Sequence, residues 1–95
     1  SIGWDGDSPL HVLLWRNDER GVRLLVEAGA NVGAKGEMDE TPLHVALRQS
    51  NVVLVKLLLL AGARTDIRSE FGDTPADIAK QNGIDLQAVL QSPND

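Results

Sequence analysis

A 33-residue period constrains this chain more than any other feature of its sequence. Ser8-Pro9-Leu10-His11 returns after 33 residues as Thr41-Pro42-Leu43-His44, and once more at that interval, degraded, as Thr74-Pro75-Ala76-Asp77. Ala28-Gly29-Ala30 returns at the same spacing as Ala61-Gly62-Ala63. Two unrelated motifs that keep one period define a repeat. Such a chain builds its core by stacking like units on one another.

Each landmark has a physical meaning. Ser8, Thr41 and Thr74 each precede a proline, so the hydroxyl can cap a helix whose first position is Pro. Proline is tolerated there because its missing N–H would have no intrahelical partner. In the middle repeat this predicts a first helix over roughly 42–49 and a second over about 52–60, apolar nearly all round apart from Lys56. A helix apolar on most faces is expected to be covered on most faces by its stacked neighbours. Gly29 and Gly62 then end the second helices as left-handed caps. The polar stretch between Gly29 and Thr41, with Gly33, Gly36 and Asp39, suits an extended, hairpin-like loop.

A unit of this length with T-P-L-H, two short antiparallel helices, a Gly-Ala step and a turn-rich loop resembles the ankyrin repeat. Residues 41–63 match the pattern closely, residues 8–30 well, and residues 74–90 as a terminal repeat. The resemblance implies an all-α solenoid of helix-turn-helix units with β-turn or hairpin loops. It implies one domain over 1–95, with repeats at about 4–36, 37–69 and 70–95. The last repeat has Ala76-Asp77 in place of Leu-His, and its second helix, about 85–91, carries Asp85, Gln87 and Gln91. A polar outer face of this kind suits a C-terminal cap. The first repeat is less regular, because Leu13 stands where Ala46 stands and Gly21 interrupts the second helix at a cost of about 1 kcal/mol relative to Ala.

Composition narrows the function classes. Aromatic residues make up only 3% of the chain, so aliphatic side chains must build the core. A net charge of −5 opposes approach to a phosphate backbone, so nucleic acid is not an expected partner. There is no cysteine, which excludes disulfides and thiolate metal sites and fits a reducing compartment; the expected location is cytoplasmic, with a nuclear one left open. The longest apolar run, residues 51–63, contains Lys56 and is short of the ~20 residues that cross a bilayer.

Catalysis finds no footing in these residues. His11 and His44 occupy the same position in successive repeats, where the family resemblance implies a structural ring that steadies the neighbouring loop. A metal pair would lack a third ligand at sensible spacing. The glycines are not spaced as a phosphate loop, and Ser8 is better explained as a cap than as a nucleophile. The loop carboxylates look solvated, without the buried setting that raises a general acid's pKa. No enzyme activity, metal or cofactor is expected.

The resemblance implies binding through loop tips and the concave face lined by the first helices, where residues 33 apart form columns. The columns are Trp4, Glu37, Glu70; Asp5, Met38, Phe71; Asp7, Glu40, Asp73; Trp15, Arg48, Gln81; and Arg16, Gln49, Asn82. The candidate protein-binding residues are thus Trp4, Asp5, Asp7, Trp15, Arg16, Glu37, Met38, Glu40, Arg48, Gln49, Glu70, Phe71 and Asp73. Trp4, Trp15 and Phe71 are the only aromatics in the chain, and exposed aromatics amid polar residues have the composition of an interface hot spot. The crowded loop carboxylates point to a partner surface that is basic around an apolar contact. The leading expectation is a monomeric adaptor or scaffold module that binds another protein and does not insert in a membrane. One alternative is a small acidic inhibitor, of the immunity-protein kind, masking a basic enzyme. Another is a regulatory segment excised from a larger enzyme or membrane protein.

Overall fold

A computed structural model describes residues 9–91 of the chain. Six helices follow one another: α1 (Pro9–Trp15), α2 (Glu19–Glu27), α3 (Pro42–Arg48), α4 (Val52–Leu60), α5 (Pro75–Gln81) and α6 (Leu86–Gln91). A short turn with left-handed backbone at Met38 and Asp39 occupies Glu37–Asp39 in the loop before α3. The described residues include no strand.

Local chemistry starts these helices where the sequence pattern places them. The Thr41 hydroxyl accepts the His44 amide at the head of α3, and the His44 ring accepts the Thr41 amide in return. Thr74 and Asp77 make the same reciprocal box at α5, at 3.1 Å in both directions. The second helices are capped by side chains too, Asp18 for α2 and Asn51 for α4. Each cap satisfies an amide that would otherwise lack an intrahelical partner. Ser8, the expected cap of α1, lies outside the described residues.

Helix ends are also cyclic copies of one device. After α4 the Ala63 amide reaches back to the Leu58 carbonyl at 3.0 Å, and Gly62 between them has φ +98°. A side chain at that angle crowds its own backbone, which is why glycine stands there. Gly21, by contrast, is explained by space: a Cβ there would meet the Asp18 carboxylate at 2.8 Å and Leu13 at 3.1 Å. The glycine that looks like a flaw in α2 makes room for the carboxylate that caps it.

The helices form two layers. α3 packs on α1 and α5, giving an inner row of first helices, and α4 packs on α2 and α6, giving an outer row. α3 sits at the centre of the stack, and its residues from Pro42 to Leu47 are all buried. Leu10, Leu14, Leu43, Leu47, Leu54, Leu58 and Ile78 carry the core between the rows. Burying aliphatic side chains of this size stabilises by about 1.5–3 kcal/mol each before chain entropy is subtracted. α6 has no buried residue, although Leu86 and Val89 pack against the core edge.

One expectation about this packing needs correction. α4 was expected to be covered nearly all round, yet only Leu54, Val55 and Leu58 are buried, and Val52, Val53 and Leu60 stand exposed. Neighbouring second helices flank α4 on two sides but leave its outward side open. Among the described residues, no helix is long and apolar enough to cross a membrane.

Candidate protein-binding surface

The loops that precede α3 and α5 close as copies of each other. The Gly36 amide donates to the Glu40 carbonyl at 2.8 Å, and 33 residues on the Ser69 amide donates to the Asp73 carbonyl at 2.8 Å. Within these frames Asp39 bonds back to Gly36 at 3.1 Å and Gly72 to Ser69 at 2.9 Å. Asp39 (φ +57°) and Gly72 (φ +88°) share the left-handed backbone that this turn demands. The expected hairpin is therefore a tight turn. A further bond, from the Glu70 amide to the Met38 carbonyl at 2.7 Å, ties one tip to the next. Met38 itself has φ +60°, a conformation that costs a side-chain-bearing residue about 1–2 kcal/mol. Strain of this kind persists only where the surroundings over-determine it.

Beneath the tips, Arg48 joins two loops. Its Nε and Nη2 both lie 2.5 Å from one Glu40 oxygen, and Nη2 reaches Asp73 at 3.1 Å. The Phe71 ring lies over the guanidinium, 5.9 Å from carbon to ring centre, within range of a cation–π attraction. Burial works against the Arg48 charge, but hydrogen bonding and attraction from Glu40, then from Asp73, outweigh it and raise the pKa. Asp73 is held below the usual carboxylate value chiefly by a hydrogen bond from the Ser69 hydroxyl; burial opposes this, and Arg48 adds to it. Ser69 also accepts the Phe71 amide at 3.1 Å, so one hydroxyl braces both the carboxylate and the aromatic tip.

The histidines hold loops, as the family resemblance implied. His11 donates from Nε2 to the Glu40 carbonyl at 2.7 Å, and His44 from Nε2 to the Asp73 carbonyl at 3.1 Å. Both rings are buried, and each spans 29 residues to the loop of the following repeat. In the third repeat Asp77 keeps the helix cap but has no second ring nitrogen with which to reach onward. Among the described residues, no three His, Cys, Asp or Glu side chains converge as a metal site.

The candidate residues fall into three groups. Met38 and Phe71 are displayed, 48% and 66% exposed, on tips joined backbone to backbone. Trp15, the last residue of α1, is 49% exposed, and Arg16 and Glu70 are exposed as well. Glu40, Asp73 and Gln49 depart from the expected display. Glu40 is only 6% exposed and Asp73 is half-buried, so neither is a solvated loop carboxylate. Both turn inward because Arg48 offers the paired hydrogen bonds that water would otherwise supply. The Gln49 amide oxygen is buried without a hydrogen-bond partner in the described structure, while its counterpart Asn82 donates to the Leu47 carbonyl at 2.7 Å. Trp4, Asp5 and Asp7 lie outside the described residues, and the Glu37 side chain is outside them as well.

Sequence reasoning missed a second surface. A groove of about 730 Å³ runs along the outer row, with α4 as its floor (Val53, Lys56, Leu57, Leu60), α2 as one wall (Arg23, Val26, Glu27) and the α6 side as the other (Ile84, Asp85, Val89). The signal was present in residues 52–60, which are more apolar than two flanking helices can cover.

Paired helices stacked in two rows, with loops tied tip to tip and histidines locking each loop to the first helix of the preceding repeat, define a helical-repeat solenoid that displays side chains on a fixed frame. Residues 10–92 match the family model for ankyrin repeats in three copies, and the chain belongs to that family. Ankyrin repeats are in general protein-interaction modules. A search of the curated proteins returned no match to the chain.

Proposed function

We propose that this chain is an adaptor or scaffold module that binds a protein partner through its loop tips and the adjoining ends of the inner helices. The observation that carries this reading is the pair Met38 and Phe71. Both are exposed apolar side chains, held on copied turns and linked by the bond from Glu70 to the Met38 carbonyl. A tip backbone already fixed in place need not be ordered on binding, so more of the area buried by its side chains counts toward affinity. Trp15 extends the apolar contact along the inner row.

The partner's contact surface is apolar at its centre. Glu40 and Asp73 neutralise Arg48, which removes two of the carboxylates that would have attracted a basic surface. Glu70 and Asp39 remain exposed, and with the net charge of −5 they support a basic rim around the apolar centre. An acidic inhibitor masking a basic enzyme draws on the same charge, but its case weakens with each carboxylate that Arg48 occupies.

Affinity capture from native extract with the wild type and the Trp15→Ala, Phe71→Ala double variant tests the proposal. The variant's thermal melt must first match the wild type's. A partner held by the wild type and lost by the folded variant supports the loop-tip site. Equal capture by both sinks it.

A further inference from the structure

The outer groove carries a charge pattern that repeats with the fold. Arg23 on α2 and Lys56 on α4 stand one 33-residue period apart, and so do Glu27 and Leu60. The two positions of each helix are one turn apart on the same side, so the groove has a basic row and, one turn along, a row of Glu27 and Leu60. Neither Arg23 nor Glu27 has an ion pair among the described residues. Between and beside these rows lie Val53 and Leu57, and Leu60 is 69% exposed.

From this pattern we infer that the outer face along the groove packs on the same face of a second copy of the chain, in a two-fold dimer with the outer helices antiparallel. A two-fold axis at right angles to the helices, level with Leu25 of α2 and Leu58 of α4, midway between the two rows, reverses the order of the rows. It sets Arg23 against Glu27 of the partner copy at two symmetric places, and Lys56 against the partner copy's Leu60, so the lysines do not meet each other. Leu57 of both copies comes to the centre. The two Arg23–Glu27 pairs and the central leucines give the self-complementarity that an isologous contact needs, since each surface must satisfy itself. The groove also has both charge signs in a chain whose net charge is −5, so the contact does not stack acid on acid. This departs from the monomer expected from the sequence. It leaves the loop tips, on the other side of the inner row, free for a different partner.

Sedimentation equilibrium up to millimolar concentration, on the wild type and on the Arg23→Glu and Glu27→Arg variants, tests the inference. Both positions are exposed, and matched circular-dichroism melts establish that the variants fold. The wild type is expected to dimerise and each variant to weaken the dimer on the order of tenfold or more, because each sets like charges against each other twice. An equimolar mixture of the two variants is expected to recover dimers, since one then presents two acids on α2 and the other two bases. A wild type that stays monomeric throughout the range overturns the inference, and leaves the groove open to a helix of another protein. Dimers indifferent to both reversals, or a mixture that fails to recover them, overturn it as well.

Discussion

The guanidinium of Arg48 rests on one oxygen of Glu40, with Nε and Nη2 both at 2.5 Å, although the two residues belong to a helix end and to the loop that precedes that helix. The pair is asymmetric. The Glu40 side chain is 8% exposed and that of Arg48 is 31% exposed. Removing the arginine therefore leaves a buried carboxylate without its partner, whereas removing the carboxylate leaves a cation that water can reach. Arg48→Met is expected to cost about 2–3 kcal/mol and Glu40→Gln about 1 kcal/mol in urea denaturation. Equal costs would show that the burial difference has no energetic weight.

Acid should act on the same cluster through Asp73. Its pKa is lowered from the ordinary 3.8, first by Ser69 and then by Arg48, so the folded state holds the carboxylate ionised more firmly than the unfolded chain does. The resulting stability is complete above the unfolded value and is lost as pH falls through the lower folded value. Asp73→Asn should therefore flatten the decline in melting temperature below about pH 4, and cost about 0.5–1 kcal/mol at neutral pH. A variant whose acid limb runs parallel to the wild type's would contradict the assignment.

The left-handed backbone at Met38 separates display from stability. Glycine adopts φ +60° without crowding, so Met38→Gly is expected to melt no lower than the wild type. The same substitution deletes an exposed apolar side chain from the tip, and partner binding should fall. A clear loss of stability would mean that the methionine side chain holds the loop together and is not simply presented by it.

Gly21 offers a test of local propensity against space. Alanine is favoured over glycine by about 1 kcal/mol inside a helix, yet a Cβ here would press on the Asp18 carboxylate and on Leu13. The cap bond from the Gly21 amide to Asp18, at 2.9 Å, is what that pressure would disturb. Gly21→Ala should bring no gain in thermal stability. A rise of several degrees would show that Asp18 and Leu13 yield freely.

Much of the fold was legible because the features that specify it are local. Thr41, Pro42 and Gly62 each announce a helix boundary within a few residues, and the 33-residue period then says which elements stack. The period made His11 and His44 equivalent, and the family resemblance implied their loop-steadying role. What escaped the sequence is set by non-local partnership. Nothing near Glu40 in the chain shows that Arg48, eight residues on, will draw it inward, nor that Asp73, 25 residues beyond Arg48, will share the guanidinium. The exposed side of α4 was hidden for a related reason. Apolar residues on all faces signal burial, and only the packed layers show which face lacks a neighbour.

The claim that the loop tips form the binding surface is tested most directly by a photo-reactive phenylalanine analogue placed at position 71, with the same analogue at the outward Leu24 position as control. Irradiation in native extract should link a partner through position 71 and not through position 24. A partner linked through position 24 alone, or through neither, would contradict the account.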